Sequence, residues 1–199
     1  LKIYFTKQFY PTEKIVASHV KGKILDVGCG AGRHILHYQK LGHDITGIDN
    51  SPLAIKVCKE RGCEKAKVMD IFYPKFSSNS FDTILLFGHN IGIGGTLAGA
   101  KRLLSSLRKL MKKNGVLLLT TIDVTNTKKK VHQKYLQKNR TAGRYLGEMK
   151  IRVEYKNQIG NWFQWLFVDP KTLKNLAKET GWEIIKLHET SSGEYSAVL

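Results

Sequence analysis

The chain has 199 residues, 42% hydrophobic and 25% charged, with 33 Lys and Arg against 16 Asp and Glu for a formal charge of +17. That length can bury a full core and predicts one domain over residues 1–199, while the composition excludes disordered and small disulfide-stapled classes. Cys29, Cys58 and Cys63 are an odd set without paired metal-ligand spacing, so neither a disulfide framework nor a metal site is expected. No apolar run approaches the roughly 20 residues that span a bilayer and no leader precedes the fold, so no membrane association and a reducing cytoplasm are expected.

Pro11 introduces a short helix over residues 12–20. Residues 23–27 form an apolar run of strand length closed by Gly28, and Ile35, Leu36, Tyr38 and Leu41 follow with helical spacing up to Gly42. The unit then repeats, with a strand over 44–48, Ser51 as N-cap, Pro52 in the first turn and a helix to about Arg61. Residues 66–70 give a third strand and 81–87 a fourth, whose continuous apolar run suits a strand covered on both faces. After a glycine-rich loop, residues 96–113 are helical, with Leu103, Leu104, Leu107, Leu110 and Met111 on one face. Asn114-Gly115 then turns into a fifth strand over 116–122. Residues 125–144 are polar and basic, with no element assigned. Residues 149–155 and 161–168 read as a hairpin around Gly160, an insertion over 149–168 suited to capping a substrate pocket. Asp169-Pro170 opens a helix ending near Gly181, and residues 182–188 and 195–199 close the chain as an antiparallel pair. The alternation predicts an α/β fold, a Rossmann-like doubly wound seven-stranded sheet, mostly parallel, with helices on both faces.

The most informative segment is Ile24-Leu-Asp-Val-Gly-Cys-Gly-Ala-Gly-Arg-His34. A strand running into Gly28, Gly30 and Gly32 lets backbone approach a ligand closely, and the helix behind it offers free amides. Asp49 ends the second strand 21 positions after Gly28, where a carboxylate can accept from both hydroxyls of a ribose. A dinucleotide fingerprint would need a third glycine where Arg33 stands, which argues against NAD.

Residues 24–34, with Thr46-Gly-Ile-Asp-Asn-Ser-Pro52, resemble the first two motifs of the class I S-adenosylmethionine-dependent methyltransferases. Val68-Met-Asp-Ile71, the fourth-strand run Phe81-Asp-Thr-Ile-Leu-Leu-Phe87 and the segment from Leu110 to Leu119 are similar to later motifs, and the element order matches along nearly the whole chain. The resemblance implies an antiparallel last strand and S-adenosylmethionine as cofactor, with S-adenosylhomocysteine as its product. It implies that Asp26, Gly28, Cys29, Gly30 and Gly32 line the methionine part, Asp49 the ribose, and Asn50, Asp70 and Ile71 the adenine, with Phe87 also at the cofactor.

Methyl transfer from a sulfonium requires positioning of an unprotonated nucleophile and exclusion of water, with no metal and no covalent intermediate. The loop 88–95 is where the resemblance places the reacting centre. His89 is the base candidate because its ordinary pKa of about 6.5 suits proton transfer near neutrality, with Asn90 as an orienting amide. His34 and His37 read as structural, His34 being a secondary candidate. Tyr4 and Tyr10, with Phe5 and Phe9, are candidates for an aromatic lid, which excludes water and attracts a sulfonium. Trp162 and Trp165 of the hairpin are candidate pocket walls, although alternation turns Trp162 away from Phe163 and Trp165.

Between residues 84 and 147 thirteen bases face one acid, Asp123, so +12 of the total +17 lies there. Such clustering suits RNA phosphate or an acidic small molecule. The bases nevertheless fall on an amphipathic helix and a segment poor in stacking aromatics, and the loop 88–95 lacks the Asn/Asp-Pro-Pro-Tyr/Phe signature of enzymes that methylate nucleobase amines. A methyltransferase acting on a small molecule is therefore expected first, with an acidic acceptor among the candidates. An RNA or protein methyltransferase using the basic surface 101–144 comes second, and a non-catalytic cofactor-binding regulator third. The accepting atom and oligomeric state stay open.

Overall fold

The computed structural model describes every residue except Leu1, Lys7 and Asn126 and, of Lys2 and Ile3, the backbone alone. Helices α1 (Lys2–Phe5) and α2 (Pro11–Ala17) precede a repeating strand and helix pattern: β1 (Ile24–Val27), α3 (Arg33–Lys40), β2 (Ile45–Asp49), α4 (Pro52–Glu60), β3 (Ala66–Val68), β4 (Phe81–Leu86), α5 (Leu97–Leu110) and β5 (Met111–Ile122). Then come α6 (Lys130–Thr141), the short strands β6 (Glu148–Ile151), β7 (Glu154–Tyr155), β8 (Gln158–Ile159) and β9 (Phe163–Leu166), helix α7 (Pro170–Glu179), β10 (Lys186–Glu189) and β11 (Glu194–Val198).

Seven strands form one sheet in the order β10-β11-β5-β4-β1-β2-β3. β11 runs antiparallel to both of its neighbours, whereas the pairs from β5 to β3 are parallel. Strand alternation sends Leu25, Val27, Ile84, Leu86, Leu117 and Leu119 into one core with Leu103 and Leu107 of α5. Ile24, Leu85, Val116 and Leu118 enter the other core with Ile35 and Ile55 from the opposite helical layer. From β1 the chain winds outward through β2 and β3, then returns to place β4 on the other side of β1. Open α/β sheets bind ligands at such a reversal, beyond the carboxyl ends of the strands.

Several boundaries differ from expectation. The fifth strand starts at Met111, which pairs with Phe81, while Val116 pairs with Thr83; residues 112–115 bulge between these pairs, so Asn114-Gly115 turns within the strand. β3 stops at Val68, and β10 starts at Lys186 because Trp182 is buried against α5, its indole N–H donating to the Leu104 carbonyl at 3.0 Å. The insertion is a hairpin, with β6 antiparallel to β9 and β7 to β8, but it turns at Lys156 (φ 51°) rather than around Gly160. The basic segment contains a helix, α6, fixed by Asn139, whose amide donates to the Leu146 and Glu148 carbonyls at 3.1 and 2.6 Å.

Candidate active site

At the end of β1 the backbone turns sharply: Gly28 has φ 72°, and a Cβ there would lie 2.5 Å from Asn90 Nδ2. Only glycine permits both the left-handed conformation and that approach. The Gly28 and Cys29 amides donate to the Ile48 carbonyl at 2.9 and 3.0 Å, which joins the turn to β2. Asp49, at the end of β2, accepts from the Gly30 amide at 3.0 Å on one oxygen and from the Ser51 amide at 2.9 Å on the other. A carboxylate has about four acceptor sites, so its free lone pairs face the cleft. A cavity of about 520 Å³ opens here, walled by Val27, Gly28, Gly30, Ile48, Asp49, Asn50, Met69, Asp70 and Ile71 on the sheet side and by Tyr4, Asn90, Ile93 and residues 163–165 opposite. Among the described residues its charged walls are both acids, Asp49 and Asp70.

A second cavity of about 430 Å³ shares Tyr4, Gly28, Gly30, Asn90 and Trp165 with the first. Its further walls include Tyr10, Phe87, His89, Thr120 and Glu194. β11 is reversed, so its first residue, Glu194, pairs with Ile122 at the carboxyl end of β5 and reaches this edge of the sheet. His89 adopts φ 65°, a conformation costing roughly 1–2 kcal/mol for a residue with a Cβ. Its amide is held by the Thr120 carbonyl at 3.1 Å. The imidazole packs against Phe167, with ring centroids 5.9 Å apart, and its Nδ1 is buried without a hydrogen-bond partner. Burial pushes the His89 pKa below its ordinary 6.5, although Glu194 and Glu13 pull the other way, so the ring is neutral and open to a proton at pH 7.

Beside this cavity lies an ionic network. Glu13, 1% exposed, accepts from both terminal nitrogens of Arg33, from the Tyr10 amide at 2.8 Å, and contacts His34 Nε2 at 3.3 Å. His34 Nδ1 lies 3.5 Å from Asp26, which shares the face of β1 with Ile24 and so points toward α3. Burial would raise the Glu13 carboxyl, but His34 and Arg33 prevail and hold it down at about 2. For His34, burial opposes the charge, and Asp26 and Glu13 outweigh it, raising its pKa. A histidine held protonated cannot accept a proton, which removes His34 from the candidate bases.

Of the residues singled out in the sequence, Gly28, Gly30, Asp49, Asn50, Asp70 and Ile71 line the first cavity. Cys29, Phe87, Tyr10 and His89 line the second, while Tyr4, Asn90 and Trp165 border both. Asp26 and Gly32 reach neither. Asp26 faces His34, and the space beside Gly32 is filled by the thiols of Cys63 and Cys58. The amide nitrogen of Asn90 donates to the Val27 and Gly28 carbonyls at 2.7 and 3.0 Å, which leaves its oxygen for a reactant. Trp162 stands outside both cavities, 55% exposed, with the Arg152 guanidinium 4.8 Å from its ring centroid. Glu13 and Glu194 belong to none of the sequence motifs. Glu13 had a local signal, three residues after the Tyr10 cap and in the first turn of α2, but Glu194 had none.

The three cysteines gather behind the glycine turn. Cys58 donates to the Gly30 carbonyl at 3.0 Å and lies 4.0 Å from Cys29. Its contact with Cys29, together with burial, pushes the Cys58 thiol up to about 12, so it is a packing group at neutral pH. Among the described residues, no cluster of His, Cys, Asp and Glu is arranged to hold a metal ion, and no helix is long and apolar enough to cross a membrane.

A family model described as a methyltransferase domain matches residues 18–181. An S-adenosylmethionine-dependent methyltransferase from Bacteroides fragilis, solved in complex with S-adenosyl-L-homocysteine, superposes with a TM-score of 0.82 at 31% identity, covering 99% of this chain and 79% of that one. One from Methanosarcina mazei superposes with a TM-score of 0.77 at 20% identity, over 96% and 97% of the two chains, a likeness of fold. The ribosomal protein L11 methyltransferase of Thermosipho africanus is 35% identical over 100 residues, 50% of this chain and 37% of that protein. The alignments span less than half the length of the curated relatives that the chain matches, 45% and 37%.

Proposed function

Because the chain belongs to the S-adenosylmethionine-dependent methyltransferases, we propose that it binds S-adenosylmethionine in the 520 Å³ cavity and methylates a small molecule seated in the adjoining 430 Å³ cavity. The observation that carries this reading is the shared wall. Gly28 and Gly30 border both spaces, so a ligand lying along the glycine turn from Asp49 has one end against the second cavity.

The residues present fit the cofactor. Free lone pairs on Asp49 suit the two ribose hydroxyls, and Ile48, Met69 and Ile71 offer an apolar slot for adenine with Asn50 and Asp70 at its rim. A Cβ on Gly30 would project toward the Tyr4 ring, 3.5 Å away, into the space that the methionine part needs. Acidic walls, with no cation among the described lining residues, suit a ligand whose sulfur carries positive charge. Bound there, S-adenosylmethionine would supply an electrophilic methyl carbon, open to in-line attack by an acceptor lone pair with S-adenosylhomocysteine as the leaving group.

The protein's own contribution is placement and proton removal. Tyr4 and Trp165 border both cavities, exclude water at the junction and present aromatic faces to a cation, while Tyr10 walls the second cavity with the Arg33 guanidinium 5.0 Å from its ring centroid. The neutral His89 takes a proton from the acceptor, a contribution of about 10² to 10⁴ in rate where the nucleophile is protonated.

None of the thirteen bases between residues 84 and 147 lines either cavity, which favours a small acceptor over a polyanion. The test is calorimetry with S-adenosylmethionine, followed by S-adenosylhomocysteine release against low-molecular-mass, protein and RNA fractions. Turnover with the low-molecular-mass fraction is expected. Turnover confined to protein or RNA, or binding with no turnover on any fraction, would replace this reading by the corresponding alternative.

A further inference from the structure

The surplus of positive charge does not extend into the second cavity. Among the described residues its one fixed cation, Arg33, spends both terminal nitrogens on Glu13, and His34 is held between Glu13 and Asp26. The charges on Arg33, His34, Glu13 and Asp26 therefore cancel. What remains is Glu194, half-buried in the wall, whose carboxylate has no hydrogen bond or ion pair among the described residues. The rest of the lining is aromatic or neutral: Tyr10, Phe87, Trp165, Thr120 and the uncharged His89. An unpaired carboxylate in a partly dry cavity attracts a cation far more strongly than it would in water, and a second anion there is repelled.

Resting on the reading of this cavity as the acceptor site, we propose that the acceptor carries a protonated amine on an apolar, aromatic-sized body, and that Glu194 selects it. Overall charge suggested an acidic substrate; the local charge selects the opposite sign. The consequence for His89 is specific. A bound ammonium has no lone pair, so its N–H bond must break with the electron pair left on nitrogen, and the proton passes to the imidazole at the same cavity wall.

The test uses protein loaded with S-adenosylhomocysteine and three probes of similar size, phenethylamine, 2-phenylethanol and 3-phenylpropionate, titrated calorimetrically at pH 7.5. Wild type should bind the amine at least tenfold more tightly than the alcohol, and the carboxylate most weakly. Glu194→Gln should erase the advantage of the amine while leaving S-adenosylhomocysteine affinity unchanged. The proposal is overturned if the carboxylate binds as well as the amine, if the loaded protein does not bind the amine, or if Glu194→Gln keeps the ranking. The wild-type ranking stands without the variant should Glu194→Gln fail to fold. Failure to bind S-adenosylhomocysteine at all would instead overturn the proposed function.

Discussion

Replacing Glu13 by Gln removes one charge from the network beside the second cavity and keeps its shape. A carboxyl held at about 2 instead of 4.5 corresponds, at about 1.4 kcal/mol per pH unit, to about 3 kcal/mol in favour of the folded, charged form. The geometry gives a similar figure independently: the Glu13 and Arg33 side chains are 1% and 9% exposed, and breaking such a buried pair costs about 3–5 kcal/mol by leaving an uncompensated charge. Glu13→Gln should thus lose about 3 kcal/mol in urea unfolding followed by tryptophan fluorescence at pH 7. The folded pKa of Glu13 is the lower one, so its contribution is complete above about pH 4.5 and is lost as pH falls through about 2, and wild type and variant should converge over that window. His34 has the opposite sign, because its raised pKa adds stability below 6.5 that fades as pH rises through the folded value. A Glu13→Gln loss under 1 kcal/mol at pH 7, or one that does not shrink below pH 4.5, would refute this account of the network.

Asp49→Ala should weaken S-adenosylmethionine binding by about 1.5–3 kcal/mol, the range for hydrogen bonds to a charged group, and calorimetry showing unchanged affinity would remove Asp49 from the ribose site. For His89, whose pKa lies below 6.5, the acid limb of kcat/KM should also lie below pH 6.5; His89→Gln should abolish that limb and lower turnover while cofactor affinity holds. Gly92→Ala should cost about 1–3 kcal/mol in urea unfolding, since its Cβ would stand 2.2 Å from the Trp165 ring, and unchanged stability would show that the hairpin does not clamp this turn.

The features legible in the sequence were those that backbone geometry forces into local pattern. Gly28 must accept positive φ, Ser51 must cap α4, and the apolar run of β4 must fill both cores, so each left a mark within a few residues. The glycine turn and Asp49 were legible for the same reason. The ionic network was not, because Glu13, Asp26 and Arg33 are brought together only by the packing of α2 and α3 against β1. Nor was α6, whose Lys130, Lys134 and Lys138 repel at helical spacing and which buries only Leu136 and Asn139; tertiary hydrogen bonds, not amphipathic pattern, hold it. Glu194 owes its place to the reversal of β11, which carries the start of that strand to the edge where the parallel strands end. Net charge says less about the site for a related reason: among the described residues the thirteen bases between 84 and 147 line neither cavity, and composition cannot separate a surface from a pocket wall.

A crystal structure with S-adenosylhomocysteine bound tests the central claim most directly. The ribose should meet Asp49, the adenine should lie against Ile71, and the sulfur should reach the junction of Gly28, Asn90 and Trp165, facing the space bounded by His89 and Glu194. A ligand lodged in the 430 Å³ cavity, or a sulfur directed away from it, would contradict the division of the cleft into a cofactor half and an acceptor half.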